Sequence, residues 1–224
     1  LVSAAAAAEV QTPALKQVNS AVPQTSQSSV SVVYTGAQTA GDTNILAIGW
    51  NNATSNVTSV TDSAGNVYQL AVPTARGAGL SQAIYYAKNI KAAAAGANTV
   101  TVAFNTATPY VDIRATEYSG LDAANPFDVG ASASGTGTSA NSGSVTSTAP
   151  GLVFGAGMTA GNFTAAGTGF TTRIITSPDA DIAADRVTTA AGAYNATATL
   201  SRSSAWLMQV ATFKAAGVGA SIAL

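Results

Sequence analysis

The sequence contains no histidine and no cysteine, and only 8% of its 224 residues are charged. Each shortage removes a class of chemistry. Without His or Cys there is no zinc site of the usual kind, no haem held by those ligands, no thiol nucleophile and no Ser-His-Asp triad. Nine Lys+Arg stand scattered against ten Asp+Glu, for a net charge of −1, so no basic stripe exists to hold nucleic acid. No apolar run approaches the ~18 residues of a membrane span, because Thr, Ser, Asn and Gly interrupt every hydrophobic stretch. The sequence implies no cofactor and no metal, and the expectation is a protein that is not an enzyme.

What is present is small and uncharged. Ala, Thr, Ser and Gly fill more than half of the chain, and the mean hydropathy is +0.25. An ordinary soluble domain carries about 25% charged residues. A chain so poor in charge has little to keep copies of itself apart, which points to self-assembly. The length suits one large all-β domain, able to bury roughly 70% of its unfolded surface without disulfides or metal. The Thr/Ser/Gly/Asn bias, with few Lys and Glu, and an opening run of Ser3 to Ala8 point to a secreted, extracellular or cell-surface protein.

Period-two segments recur between turn residues. They include Ser29 to Tyr34, Ile45 to Trp50, Val57 to Thr61, Val67 to Val72, Gln82 to Ala87 and Thr99 to Phe104. Val111, Ile113 and Ala115 alternate with Asp112, Arg114 and Thr116, which predicts a half-buried strand with one wet face. Further strands are expected at Gly151 to Phe154, Phe170 to Ile175, Ala183 to Thr188, Ala196 to Leu200 and Ala205 to Phe213. Spacings of roughly 8–12 residues with Gly, Asn, Asp or Pro between strands predict an antiparallel β-sandwich, jelly-roll or immunoglobulin-like. Ala4 to Lys16 and Ile90 to Ala95 are the two stretches with helix-friendly composition. Ser132 to Ser147 reads as a long loop or a flat polar strand pair. The expected organisation is an N-terminal extension over 1–14, one sandwich domain over 15–214 and a strand-like tail over 215–224.

The two extensions carry the most specific expectation. In the tail Val218, Ala220, Ile222 and Leu224 are apolar and alternate with Gly219, Ser221 and Ala223. A similar alternation runs from Val2 to Val10. Such a segment either forms an edge strand of its own sheet or completes the sheet of a neighbouring subunit, with main-chain bonds for direction and side chains for pockets.

Other constellations are weaker. Glu117, on the apolar side of its strand by parity, is a lone candidate for an acid with a raised pKa. Asp179, Asp181 and Asp185, or Asp122 and Asp128, could gather oxygen ligands for calcium, although neither spacing is that of an EF-hand loop. Trp50 and Tyr85 are the candidate glycan contacts, with core packing as the plainer role for Trp50. Asn52, Asn56, Asn162 and Asn195 head N-x-[ST] sequons and are the candidate glycosylation sites.

Ala40-Gly41-Asp42-Thr43-Asn44, Ile48-Gly49-Trp50-Asn51, Ser59 to Asn66, Tyr85 to Ile90, Glu117 to Asp122 and Asn125 to Asp128 together resemble a β-sandwich module of secreted surface proteins from environmental bacteria. That module stands near immunoglobulin-like repeats, and the resemblance implies location and fold rather than an activity. The chain ends are similar in architecture to donor-strand, pilin-like filament subunits. Together these observations predict a structural subunit of an extracellular filament or surface assembly, polymerising by donation of a terminal β-strand, with identical subunits as partners. The alternative is a carbohydrate-binding or adhesive surface module, with surface glycans as partners.

Overall fold

The computed structural model describes residues 9–217 of the chain, and among them there is no helix. Sixteen strands follow one another in the described residues. The first eight are β1 (Ala14–Ala21), β2 (Gln27–Val33), β3 (Thr43–Trp50), β4 (Val57–Asp62), β5 (Gln69–Gly77), β6 (Leu80–Ala87), β7 (Thr99–Thr108) and β8 (Asp112–Ser119). The second eight are β9 (Phe127–Asn141), β10 (Val145–Ser147), β11 (Gly151–Thr159), β12 (Phe163–Ala166), β13 (Thr171–Ile175), β14 (Ile182–Thr188), β15 (Gly192–Tyr194) and β16 (Thr197–Lys214). Their ladders are antiparallel throughout.

A central sheet of order β1-β8-β3-β6-β5 is covered on both faces. The three-stranded sheet β2-β7-β4 packs on one side. On the other lies a larger sheet, β12-β16-β11-β14-β13, with β9 also paired to β16. This layering explains the sequence of β3, where all eight residues are buried. Leu46, Ile48 and Trp50 face the three-stranded sheet, meeting Val30, Val32, Val100, Val102 and Phe104. Ile45 and Ala47 face the larger sheet, meeting Leu152, Phe154 and Phe213. A strand buried on both faces reads as a continuous apolar run, whereas β2 and β7 alternate because their outer faces are wet.

A third cluster lies on the far side of the larger sheet. The register of β16 with β9 breaks between Thr199 and Ser204, and Ala198 and Leu200 before the break join Val153, Met208 and Val210 in this cluster. Glycine is required at the start of β11, where the neighbouring strand β16 of the same sheet comes close. A Cβ on Gly151 would stand 2.0 Å from the Phe213 carbonyl oxygen.

Several expectations are corrected here. Of the stretch Ala4 to Lys16, residues 4–8 lie outside the described residues, and Ala14 to Lys16 belongs to strand β1, not a helix, because Ala14 and Leu15 pair with Ser119 and Tyr118 of β8. Ile90 to Ala95 forms no helix; Ala93 makes a bridge with Gln38 instead. Residues 132–141 and 145–147 lie in strands, but β9 pairs with β16 and β10 with β15 rather than with each other. The two strands expected over 196–213 are one 18-residue strand. The predicted wet face of β8 is dry: Asp112, Arg114 and Thr116 are all 0% exposed. Parity placed them opposite Ile113 and Ala115 correctly, but the larger sheet covers that face as well.

Candidate functional site

Polar chemistry in this molecule is concentrated between the central and larger sheets. Arg114 donates through Nη1 to the carbonyls of Gly157 (2.8 Å) and Ile182 (2.7 Å), and through Nη2 to Gln82 Oε1 at 2.9 Å. Its Nε lies 2.9 Å from Asp112 Oδ1, an ion pair too bent to count as a hydrogen bond. Gln82 Nε2 in turn donates to the Ala156 carbonyl (3.0 Å) and to Gln209 Oε1 (3.2 Å). The Thr176 hydroxyl donates to Asp112 Oδ2. Asp181 Oδ1 accepts the Thr159 N–H at 2.9 Å, while its Oδ2 has no partner.

Burial pushes both carboxyls up. For Asp112 loss of water dominates and Arg114 opposes it; for Asp181 burial is reinforced by the charge of Asp112. A guanidinium with its fork spent on two carbonyls and an amide locks the sheets in register, because sliding either sheet would leave a buried charge without partners. Towards the surface the cluster meets a cavity of about 220 Å³ lined by Asn51, Tyr110, Asp179 and Asp181. No group of three metal-ligating side chains occurs among the described residues.

A second pair of acids sits where β8 ends and β3 begins. Glu117, 0% exposed, accepts from Gln17 Nε2 at 2.5 Å and from the Thr39 N–H at 3.0 Å. Beside it, the Asp42 carboxyl is pushed up to about 6, first by burial and then by the neighbouring Glu117, with Lys16 pulling the other way. Asp42 therefore keeps its proton to higher pH than an ordinary carboxyl does. The sequence offered Glu117 alone; nothing local links it to a turn residue on another strand.

The other candidate residues are dispersed. Trp50 is fully buried, edge-on to Phe104 at 5.4 Å and under the Arg76 guanidinium, so it presents no face to a sugar. Tyr85 is half-buried beside the same cluster. Asp185 pairs with Arg173 (2.8 Å) and receives the Tyr118 hydroxyl (2.5 Å), which separates its role from that of Asp181. Asp122 caps the turn at Ala124 and Asn125, and Asp128 holds Thr148. Among the sequon residues, Asn52 accepts two main-chain N–H groups through Oδ1, Asn56 receives Arg76, Asn195 donates to Asn141, and Asn162 is exposed. A second cavity, of about 250 Å³, opens between Lys88, Lys91, Asn66 and Gln69.

Val218, Ala220, Ile222, Leu224 and Val2 lie outside the described residues. Val10 is described: it is 39% exposed and makes a bridge with Gly217. Next to it the Gln11 N–H donates to the Ala216 carbonyl at 2.7 Å, and the Ala216 N–H donates to the Gly120 carbonyl at 2.9 Å. The last described residues are therefore held on both sides, by Gly120 at the end of β8 and by the N-terminal extension.

The fold defines an all-β protein of several antiparallel sheets packed face to face, with Asp112, Arg114 and Asp181 sealed between two of them and Val10 bridged to Gly217 at one pole. No family model matches the chain, and comparison with curated proteins and with solved structures finds none similar to it. Among the described residues, no helix is long and apolar enough to cross a membrane.

Proposed function

We propose that the protein is a structural subunit of an extracellular filament or surface assembly, joined to its neighbours by donating the segment Val218–Leu224 as a β-strand. The observation that carries this reading is the arrangement at the pole. The Ala216 main chain is bonded on both sides, its N–H to Gly120 and its carbonyl to Gln11, and the sequence beyond it keeps a strand's alternation. Among the described residues, the three apolar clusters draw on side chains from Leu15 to Phe213. A donated strand makes a head-to-tail contact, and such contacts build open fibres unless a rotation closes them. Scarce charge offers little repulsion between copies.

Negative-stain electron microscopy at micromolar concentration tests the reading, with a second sample lacking Gly217 to Leu224. Filaments from the whole chain and isolated, folded particles from the shortened one are expected. Isolated particles from both, or unfolding of the shortened chain, refute it, the latter because the segment would then belong to its own sheet.

A further inference from the structure

The reading above names a donor and leaves the acceptor open. Sheet edges differ in how they are protected against pairing with another chain, and charge, proline, shortness and cover are the usual devices. Strand β1 carries Lys16, β5 carries Pro73 and Arg76, and β13 carries Arg173. Strands β10, β12 and β15 span only three or four residues. The free side of β9 packs on β5, so closely that a Cβ on Gly130 would meet Val72 at 2.6 Å and one on Gly77 would meet Ser134 at 2.6 Å. Among the described residues that leaves β2 and β4, the two outer strands of the three-stranded sheet, at seven and six residues. Neither contains Lys, Arg or Pro. The one acid, Asp62 at the end of β4, is occupied by Asn66, Asn98 and Tyr68.

The two edges are not equivalent. Alongside β4 the inner side is unfinished: Val57, Val60 and Tyr85 are only partly buried against the cluster, and Leu70, which pairs with Tyr85, is 47% exposed. The β2 margin shows one exposed large apolar residue, Val33. The outer side of the sheet is made of small groups in rows, with Ser31, Thr101 and Thr61 in one and Ser29, Ala103 and Ser59 in the next.

We infer that the β4 edge is the acceptor, and that its occupant is Val218–Leu224 of a second copy; this rests on the strand-donor reading. Seven residues match the six of β4 in length, and neither segment brings a cation. With Val218, Ala220, Ile222 and Leu224 turned inward they cover Leu70 and Tyr85. Gly219, Ser221 and Ala223 then continue the small outer rows, whereas the opposite parity would expose the large side chains.

Because the chain has no cysteine, introduced thiols report proximity cleanly. Two doubly substituted full chains, Thr61→Cys with Ser221→Cys and Ser31→Cys with Ser221→Cys, are treated with a short bismaleimide that tolerates a slip in register. Thr61 and Ser31 are both exposed, so the fold is retained. The expected result is a ladder of covalent multimers from the Thr61 pair, roughly tenfold stronger than from the Ser31 pair, as edge pairing places only one strand alongside. Equal or stronger multimers from the Ser31 pair, or a crosslink confined within one chain, overturn the assignment. Filaments by microscopy without Thr61 crosslinks sink the acceptor alone, whereas no filaments at all sink the strand-donor reading with it.

Discussion

Replacing Asp42 with Asn should stabilise the protein above neutral pH and leave it unchanged in acid. The Asp42 carboxyl is raised from 3.8 to about 6, so the folded state binds its proton more tightly than the unfolded chain does. The stability belonging to the protonated group is therefore complete below pH ~4 and is lost as pH rises through ~6. About two pKa units at ~1.36 kcal/mol each set a ceiling near 3 kcal/mol. Asp42 stands at a surface turn, 7% exposed and with the exposed Lys16 nearby, so solvent screening lowers the expected effect to about 1–2 kcal/mol. Asn keeps the shape and the main-chain bonds to Thr39 and Ile90 and carries no charge beside Glu117. Urea unfolding of both proteins at about pH 4, 5, 6 and 7.5 measures the difference through the midpoint at constant slope. The gain should be absent at pH 4 and reach its full value by pH 7.5. A difference that stays flat across the series, or a mutant weaker at pH 7.5, would refute the reasoning, because either would mean that Asp42 is not destabilised by ionisation in the fold.

Three further outcomes follow from the packing. Arg114→Met leaves Asp112 buried without its cation and should cost about 3–5 kcal/mol in urea unfolding near neutral pH, with a smaller loss in acid. Gly151→Ala pushes a methyl into the Phe213 carbonyl and should lower stability by about 1–3 kcal/mol, visible as a drop in Tm. Asn52→Gln removes the side-chain acceptor for the Thr54 and Ser55 N–H groups and should cost about 1 kcal/mol, while Asn162→Gln, at an exposed site, should be neutral within ~0.5 kcal/mol.

Much of the architecture was legible because β-branched alternation survives in β2, β4 and β7, whose outer faces are wet. Strand β1 was hidden: its Ala-Leu-Lys-Gln start suits a helix, and only the ladder to β8, nearly a hundred residues on, makes it extended. The wet face assigned to β8 failed for a related reason. Alternation reports which residues share a side, and the cover on that side is supplied by β11 and β14, far along the chain. Opposite charges at Asp112 and Arg114, two apart on one face, were the available hint of a sealed ion pair. The Asp42–Glu117 pair had no such hint, since a turn and a strand end are brought together only by the β3–β8 register. The edges of β2 and β4 could have been suspected from their lack of Lys and Pro, but which strands are edges is settled by sheet order.

Strand β16 is the last of the described strands and also lies in the middle of the larger sheet, between β11 and β9 and beside β12. During synthesis, β9 and β12 therefore have no ladder partner until residues near 200–214 have been added. Strands β11, β14 and β13 can pair with one another earlier, but the larger sheet cannot close until then. Topologies dominated by such distant pairings fold in milliseconds to seconds rather than microseconds.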